Sequence, residues 1–255
     1  MKASNRYLKY WAAAMLLFIA GAVHAQSRFI RQGKIEYEKK VNMHKMIEDN
    51  SWTREFKDKM PVYRTTYYDM VFNDSVSVYK AGKEAVDDKW KNMWMSGGGE
   101  ENVMYSNFNT GSNTAFKQVF EKKFLLQDSM VHIEWRITDE TRDIAGFECR
   151  KAVGKLYDSL YVVAFYTDQI TIPSGPEIYN GLPGTILGLA FPRFYTTWFA
   201  TKVELIEPKP TELVAPSSKT KKVTRKEMMD QVKEVFASEG GSSEERQKYF
   251  WNTVL

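Results

Sequence analysis

The stretch VHIEWRITD, residues 131–139, gives the clearest indication of the fold. Apolar and polar side chains alternate along it; the apolar ones are Val131, Ile133, Trp135 and Ile137, and the polar ones are His132, Glu134, Arg136 and Thr138. A period of two over this length is typical of an antiparallel strand with one face buried and the other in water. The stretch therefore predicts a half-buried β-strand.

Strand patterns recur through the middle of the chain. They occur at residues 34–41, at 64–81 with a turn at Asn73-Asp74, at 146–168 with a turn at 157–159, and at 194–205. Residues 95–114, which include the triplet Gly97–Gly99, are interpreted as a loop. Because consecutive strands with short connections pair antiparallel, we predict a mostly β (α+β) fold. Its architecture is a curved antiparallel sheet or half-barrel with helices packed on one side.

Residues 178–191, IYNGLPGTILGLAF, combine a turn with an uncharged run. Proline followed by glycine favours a type II turn over Leu182, Pro183, Gly184 and Thr185. The run TILGLAF is apolar on both faces, as in a strand buried on both sides, and Gly188 within it predicts a bulge or a close approach. None of these side chains can move a proton or bind a hard metal. We interpret Gly181–Gly184 as a structural turn.

Helices are predicted mainly at the end of the chain. Thr224 and Glu227 form a capping box before an apolar stripe of Met228, Val232, Val235 and Phe236. Ser242 and Glu245 repeat the capping pattern, and residues 42–60 are a further helical candidate. The predicted organisation is a signal peptide at 1–25, a curved β domain at 26–206, a Pro- and Lys-rich linker at 207–222 and a helical tail at 223–255.

The first residues are typical of an export signal. Lys2, Arg6 and Lys9 precede an apolar run that ends near Ala25, where the sequence VHA fits a cleavage site. We expect an exported protein of the periplasm or cell envelope with no transmembrane span after cleavage. Loss of the three basic residues lowers the formal net charge from +4 to +1, which argues against nucleic acid as a partner.

One constellation of reactive side chains is a candidate site. His132, Cys149 and Asp168 lie on three successive strand-like segments and could stand abreast, as a Cys–His nucleophile pair or soft-metal ligands. The alternative is a buried apolar Cys149, the chain's one cysteine, beside a solvated His132. Met93, Met95 and Met104, near Trp90 and Trp94, are interpreted as core residues, with a soft-metal patch as the alternative. We assign no catalytic residue, no metal site and no cofactor.

The sequence around the turn resembles the GLPGLI family of exported Bacteroidota proteins. The resemblance lies in GLPG at residues 181–184 with Ile186 and Leu187, in GFECRKA at 146–152 and in FYTDQITIPSGPEIYNGLPG at 165–184. Thr185 departs from the signature, which has leucine there. The resemblance implies an envelope protein, since many members are encoded near outer-membrane transporter genes. It implies no activity, because the family is largely uncharacterised.

Three functions remain open. The favoured one is a non-enzymatic binding or accessory protein whose concave apolar face takes an apolar ligand or an envelope protein partner, such as an outer-membrane transporter. This expectation draws on a fold-level analogy with lipoprotein-carrier proteins, whose concave sheet holds an apolar ligand beneath helices. The alternatives are a metal-handling accessory of outer-membrane uptake and an enzyme that uses Cys149 with His132.

Overall fold

The computed structural model describes residues 29–47, 51–84, 101–157, 160–238 and 243–254. The predicted signal peptide and Gly97–Gly99 lie outside these residues. The strands are β1 Gly33–Asn42, β2 Tyr63–Phe72, β3 Val76–Ala81, β4 Val103–Asn107, β5 Ser112–Val119, β6 Lys122–Ser129, β7 Glu134–Ile144, β8 Phe147–Leu156, β9 Leu160–Thr167, β10 Thr185–Phe191, β11 Thr196–Glu204 and β12 Lys222–Val223. The α-helices are α1 Met43–Met46, α2 Ser51–Lys57, α3 Arg225–Ser238 and α4 Ser243–Val254, and short 3-10 helices span Pro192–Phe194 and Pro210–Glu212.

All the described strands belong to one twelve-stranded sheet, in the order β12-β6-β5-β4-β3-β2-β1-β11-β10-β9-β8-β7. The pairs are antiparallel except β12 with β6, which is parallel. The sheet curves without closing, so that β12 and β7 form its two edges. The predicted class, a mostly β fold built on a curved antiparallel sheet with few helices, is confirmed.

Local irregularities in strand pairing accompany the curvature. The register shifts between Glu36 and Tyr37 in β1, and again between Ile186 and Gly188 in β10. Such bulges bend a strand and increase its twist. A Cβ on Gly188 would lie 2.8 Å from the Phe199 ring and 2.9 Å from the Ile144 side chain. The predicted bulge and close approach at Gly188 are both present.

One face of the sheet, called here the inner face, carries much of the core. Ile35, Met70 and Tyr79 occupy paired positions on it and are at most 2% exposed. The connection between β9 and β10, residues 168–184 and hereafter the connecting segment, crosses this face. Its Ser174 hydroxyl lies 2.8 Å from the Ser77 hydroxyl of β3. The inner face is therefore covered by the chain itself across its centre.

The C-terminal helices pack against the sheet near both of its edges. The Thr224–Glu227 capping box is present, because Glu227 accepts from the Thr224 backbone N–H at 2.6 Å and Thr224 Oγ1 accepts from the Glu227 N–H at 3.2 Å. Met228 and Val232 of α3 are buried, and α3 packs on β6. Trp251 of α4 stacks on Tyr157 at the end of β8, with ring centroids 5.4 Å apart. The Ser242–Glu245 cap lies outside the described side chains.

Two parts of the chain differ from the sequence interpretation. Residues 95–114 were interpreted as a loop, yet they contain β4 and the first residues of β5. Polar residues on the inner face, such as Ser106 and Asn113, hide the apolar alternation there, and the same polar character leaves β5 and β6 without a strand signal. Residues 207–222 are irregular apart from one 3-10 turn, and Lys222 then pairs with Leu125 of β6.

Candidate functional site

The structure does not bring His132, Cys149 and Asp168 together. Glu134, two residues after His132, lies opposite Lys155 in the β7–β8 pairing. Lys155 is six residues from Cys149 along β8, about 20 Å in an extended strand. His132 and Asp168 are exposed, whereas Cys149 is buried. These three side chains form no common site.

The Cys149 thiol lies in the core. Its residue is 0% exposed, and the thiol donates to the Phe147 carbonyl oxygen at 3.5 Å. Burial, and after it the negative charge of Asp143, raises the pKa of the Cys149 thiol to about 12. Because the thiolate is the nucleophile and the metal ligand, this environment holds Cys149 in its unreactive form.

The methionines do not define a site in the described part of the chain. Met104 is buried on β4 and belongs to the core, while Met93, Met95, Trp90 and Trp94 lie outside the described residues. Among the described residues, no group of three or more His, Cys, Asp or Glu side chains is placed to hold a metal ion.

The Gly-Leu-Pro-Gly turn is tighter than a type II turn. The Gly184 N–H donates to the Leu182 carbonyl at 2.8 Å, and the Thr185 N–H donates to the Ile170 carbonyl at 3.1 Å. Gly184 has φ +136°, and a Cβ there would lie 2.1 Å from the Thr167 carbonyl oxygen. The type II prediction was wrong. The Thr185 N–H, which would donate to the Leu182 carbonyl oxygen in that turn, donates to Ile170 of the connecting segment instead. Glycine is required at 184 by backbone conformation and by the proximity of β9.

An open groove lies between the β5–β6 hairpin and α3. Its volume is about 360 Å³, and its apolar walls are formed by Val119, Phe120, Phe124, Val232 and Val235. Polar residues at the groove are Glu121, Lys122 and Gln231. Phe120 is 48% exposed, and its ring packs against Phe236 at 5.5 Å. The groove thus presents an apolar surface to solvent beside α3.

Charged side chains are buried on the inner face. Lys39 of β1 and Lys117 of β5 are 6% and 5% exposed, and Glu177 of the connecting segment is 8% exposed. Burial lowers the pKa of both lysines, to about 8 for Lys117, while the negative charge of Glu177 opposes that shift in each. Glu177 has φ +55°, a left-handed conformation that is costly for a residue with a side chain.

Buried polar atoms lie beside these charges. Within the described part of the chain, the Tyr179 hydroxyl is buried and makes no hydrogen bond, whereas the buried Tyr79 hydroxyl and the buried Trp198 Nε1 interact with each other. Burial raises the pKa of both tyrosines well above the ordinary value, and the negative charge of Glu177 adds to this rise. The Lys39 ammonium lies 4.7 Å from the centre of the Trp198 ring. These groups and the buried charges form one cluster, hereafter the polar pocket: Lys39, Tyr79, Lys117, Glu177, Tyr179 and Trp198.

The sequence interpretation did not assign any of these residues to a site. One signal was available, because Lys39 continues the buried alternation of Ile35 and Tyr37. A lysine on the apolar face of a strand either reaches solvent or needs a buried partner. Lys117 gives the same signal on β5, but that strand was itself not predicted.

Comparison with known proteins places the chain near proteins without an assigned role. A family model described as "Protein of unknown function (Porph_ging)" matches residues 154–188. This match includes the Gly181–Gly184 turn. No curated protein matches the chain.

The sheet resembles solved structures. Two structures of PNGF-II, in C2 and P21 space groups, match with TM-scores of 0.52 and 0.50 at 15% and 17% identity, covering 78% and 76% of this chain. The chain spans only 32% of the PNGF-II chains. An uncharacterized conserved protein from Thermus thermophilus matches with a TM-score of 0.38 at 6% identity, covering 75% of this chain and 90% of its own. The PNGF-II likeness shows the fold alone.

Within the described ranges, no helix combines the length and apolar character that a membrane crossing requires.

Proposed function

We propose that this chain is an exported, non-enzymatic binding protein of the cell envelope, and that the groove under α3 takes an apolar ligand. The open groove of about 360 Å³ carries the proposal. This volume lies at the lower end of the range for small-molecule sites, about 300–1,000 Å³, which are mostly apolar with a few polar groups. A linear hydrocarbon chain is the ligand shape that suits it best.

The cellular setting of the proposal rests on the sequence. The basic and apolar character of residues 1–25 supports export to the periplasm or cell envelope. The resemblance to the GLPGLI family supports the same location and an envelope protein partner, such as an outer-membrane transporter. Membership of that family is part of the proposal.

The alternatives have less support from the described residues. A Cys–His enzyme needs a thiolate beside an imidazole, yet Cys149 is buried with a raised pKa and His132 is exposed in the connection before β7. The metal-handling alternative needs sulfur or imidazole ligands that converge on one point. Met104 lies in the core on β4, whereas Cys149 is buried on β8 and His132 is exposed.

Binding of an uncharged apolar probe tests the proposal. We expect N-phenyl-1-naphthylamine to gain fluorescence on the native protein and decan-1-ol to displace it. Val235→Glu, in the groove wall, should weaken decan-1-ol binding by about ten-fold or more, because a carboxylate is costly to bury against an alkyl chain.

The matched control is Val214→Glu, since Val214 is 61% exposed and does not line the groove. This variant should bind decan-1-ol as tightly as the wild type, within about two-fold. Equal binding by the Val235→Glu protein, or no displaceable binding at all, would contradict the proposal.

A further inference from the structure

Curvature brings two buried lysines toward each other. Lys39 lies on β1 and Lys117 on β5, with three strands between them in the sheet. Both point to the inner face, and the positive charge of Lys39 lowers the pKa of Lys117. In a flat sheet these residues would stand almost 20 Å apart, at about 4.8 Å per strand. The electrostatic effect of Lys39 on Lys117 agrees with the curvature of the sheet.

The polar pocket holds more positive than negative charge. Among the described residues, Glu177 is the one carboxylate that acts electrostatically on both lysines. The positive charges of Arg64 and Arg225 act on Lys39 and Lys117 respectively. No ion pair of either lysine is seen among the described residues. An uncompensated buried charge is unfavourable, and a bound anion would reduce the excess of positive charge.

Hydrogen-bond donors are also in excess. The Lys117 ammonium uses one of its three protons on the Val254 carbonyl oxygen at 2.7 Å. The Tyr179 hydroxyl has no partner among the described residues. Buried donors rarely remain unpaired in native proteins. A ligand that accepts hydrogen bonds would satisfy them.

The part of the polar pocket around Lys117 and Glu177 lies along the same interface as the groove, between the sheet and α3. A cavity of about 10 Å³, room for one water, is lined by Lys117, Glu177 and Arg225 with Met228 of α3. Lys117 and Val119 are two residues apart on one face of β5, and Met228 and Val232 are one turn apart on α3. Val119 and Val232 line the groove. One strand step of about 7 Å therefore leads from the groove to the cavity.

We propose that the polar pocket receives the carboxylate of a single-chain amphiphile whose hydrocarbon tail lies in the groove. The inference rests on the proposed function, since the groove supplies the tail site. An anion complements the excess of positive charge in the pocket, and a carboxylate accepts several hydrogen bonds at once. Because a carboxylate is larger than the present cavity, the last turn of α4, which carries Val254, shifts outward on binding.

Comparison of decanoate with decan-1-ol tests the inference, by displacement of N-phenyl-1-naphthylamine at pH 7. We expect decanoate to bind about ten-fold more tightly than decan-1-ol, since charged hydrogen bonds are worth more than neutral ones. Lys117→Met should remove this advantage and leave decan-1-ol affinity within about two-fold. Lys155→Met is the matched control, because Lys155 is an exposed lysine on β8 that does not line the groove, so it should change neither affinity by more than about two-fold.

A second variant keeps the test valid if Lys117→Met does not fold. Tyr179→Phe removes only an unpartnered hydroxyl, so it should fold normally and weaken decanoate binding by about three-fold or more. Equal affinities for decanoate and decan-1-ol overturn the carboxylate site and leave the groove proposal standing. Tighter binding of decyl phosphate than of decanoate overturns the assignment of a carboxylate. Absence of binding by every probe overturns the proposed function itself.

Discussion

At the scale of single residues, burial determines the reactivity of the Cys149 thiol. Cys149 is a lone thiol on a strand, and the surrounding core raises its pKa to about 12. The sequence could suggest a buried cysteine from residue type alone. It could not show that His132 lies before β7 and away from Cys149, because strand register is set by tertiary packing and a shift of one residue changes the face.

Thiol labelling tests the burial of Cys149. In native protein we expect slow reaction with a maleimide from pH 5 to 9, because the folded pKa lies above this range. Unfolded protein should react quickly near the free-thiol pKa of about 8.5. A raised folded pKa stabilises the protein below the unfolded value, and this contribution is lost as the pH rises toward 12. Fast native labelling with a midpoint below 8 would make the Cys–His enzyme the better account.

At the scale of elements, strands with polar residues on the inner face are harder to predict from the sequence than elements with a regular apolar pattern. Residues 225–238 form the predicted helix because the capping box and the apolar stripe are local signals. The sequence did not predict β4, β5 and β6. On β5, polar residues such as Asn113 and Lys117 lie on the buried side, where a strand pattern would have apolar residues. One of these buried polar residues, Lys117, belongs to the polar pocket. The part of the fold hardest to predict is therefore the part that carries the candidate site.

The docking of α3 can be measured through Met228. This residue is 0% exposed and lies between β6 and the connecting segment. Met228→Ala should lower the free energy of unfolding by about 2–5 kcal/mol, from lost burial and a new cavity. Lys233→Ala, on the exposed side of the same helix, should change it by less than about 0.5 kcal/mol. Similar denaturation midpoints for the two variants would show that α3 does not pack on the sheet as described.

At the scale of the whole molecule, the described structure is an unclosed twelve-stranded sheet with two helices packed near its edges. The sequence predicted the curved sheet and the helices on one side, because alternation, turns and caps are local. It did not predict that the connecting segment would cover the centre of the inner face. That arrangement depends on strand order, in which β1 lies beside β11, and on contacts such as Ser77 with Ser174.

The consequence is that free space lies under α3 rather than across the whole concave face. The central claim is that this groove holds an alkyl chain. Photo-cross-linking with a diazirine analogue of decan-1-ol, followed by peptide mapping, tests the claim most directly. The account predicts adducts on residues 119–124 and 231–235, reduced by excess decan-1-ol and by Val235→Glu. Adducts spread over the sheet, or no more abundant than in unfolded protein, would contradict it.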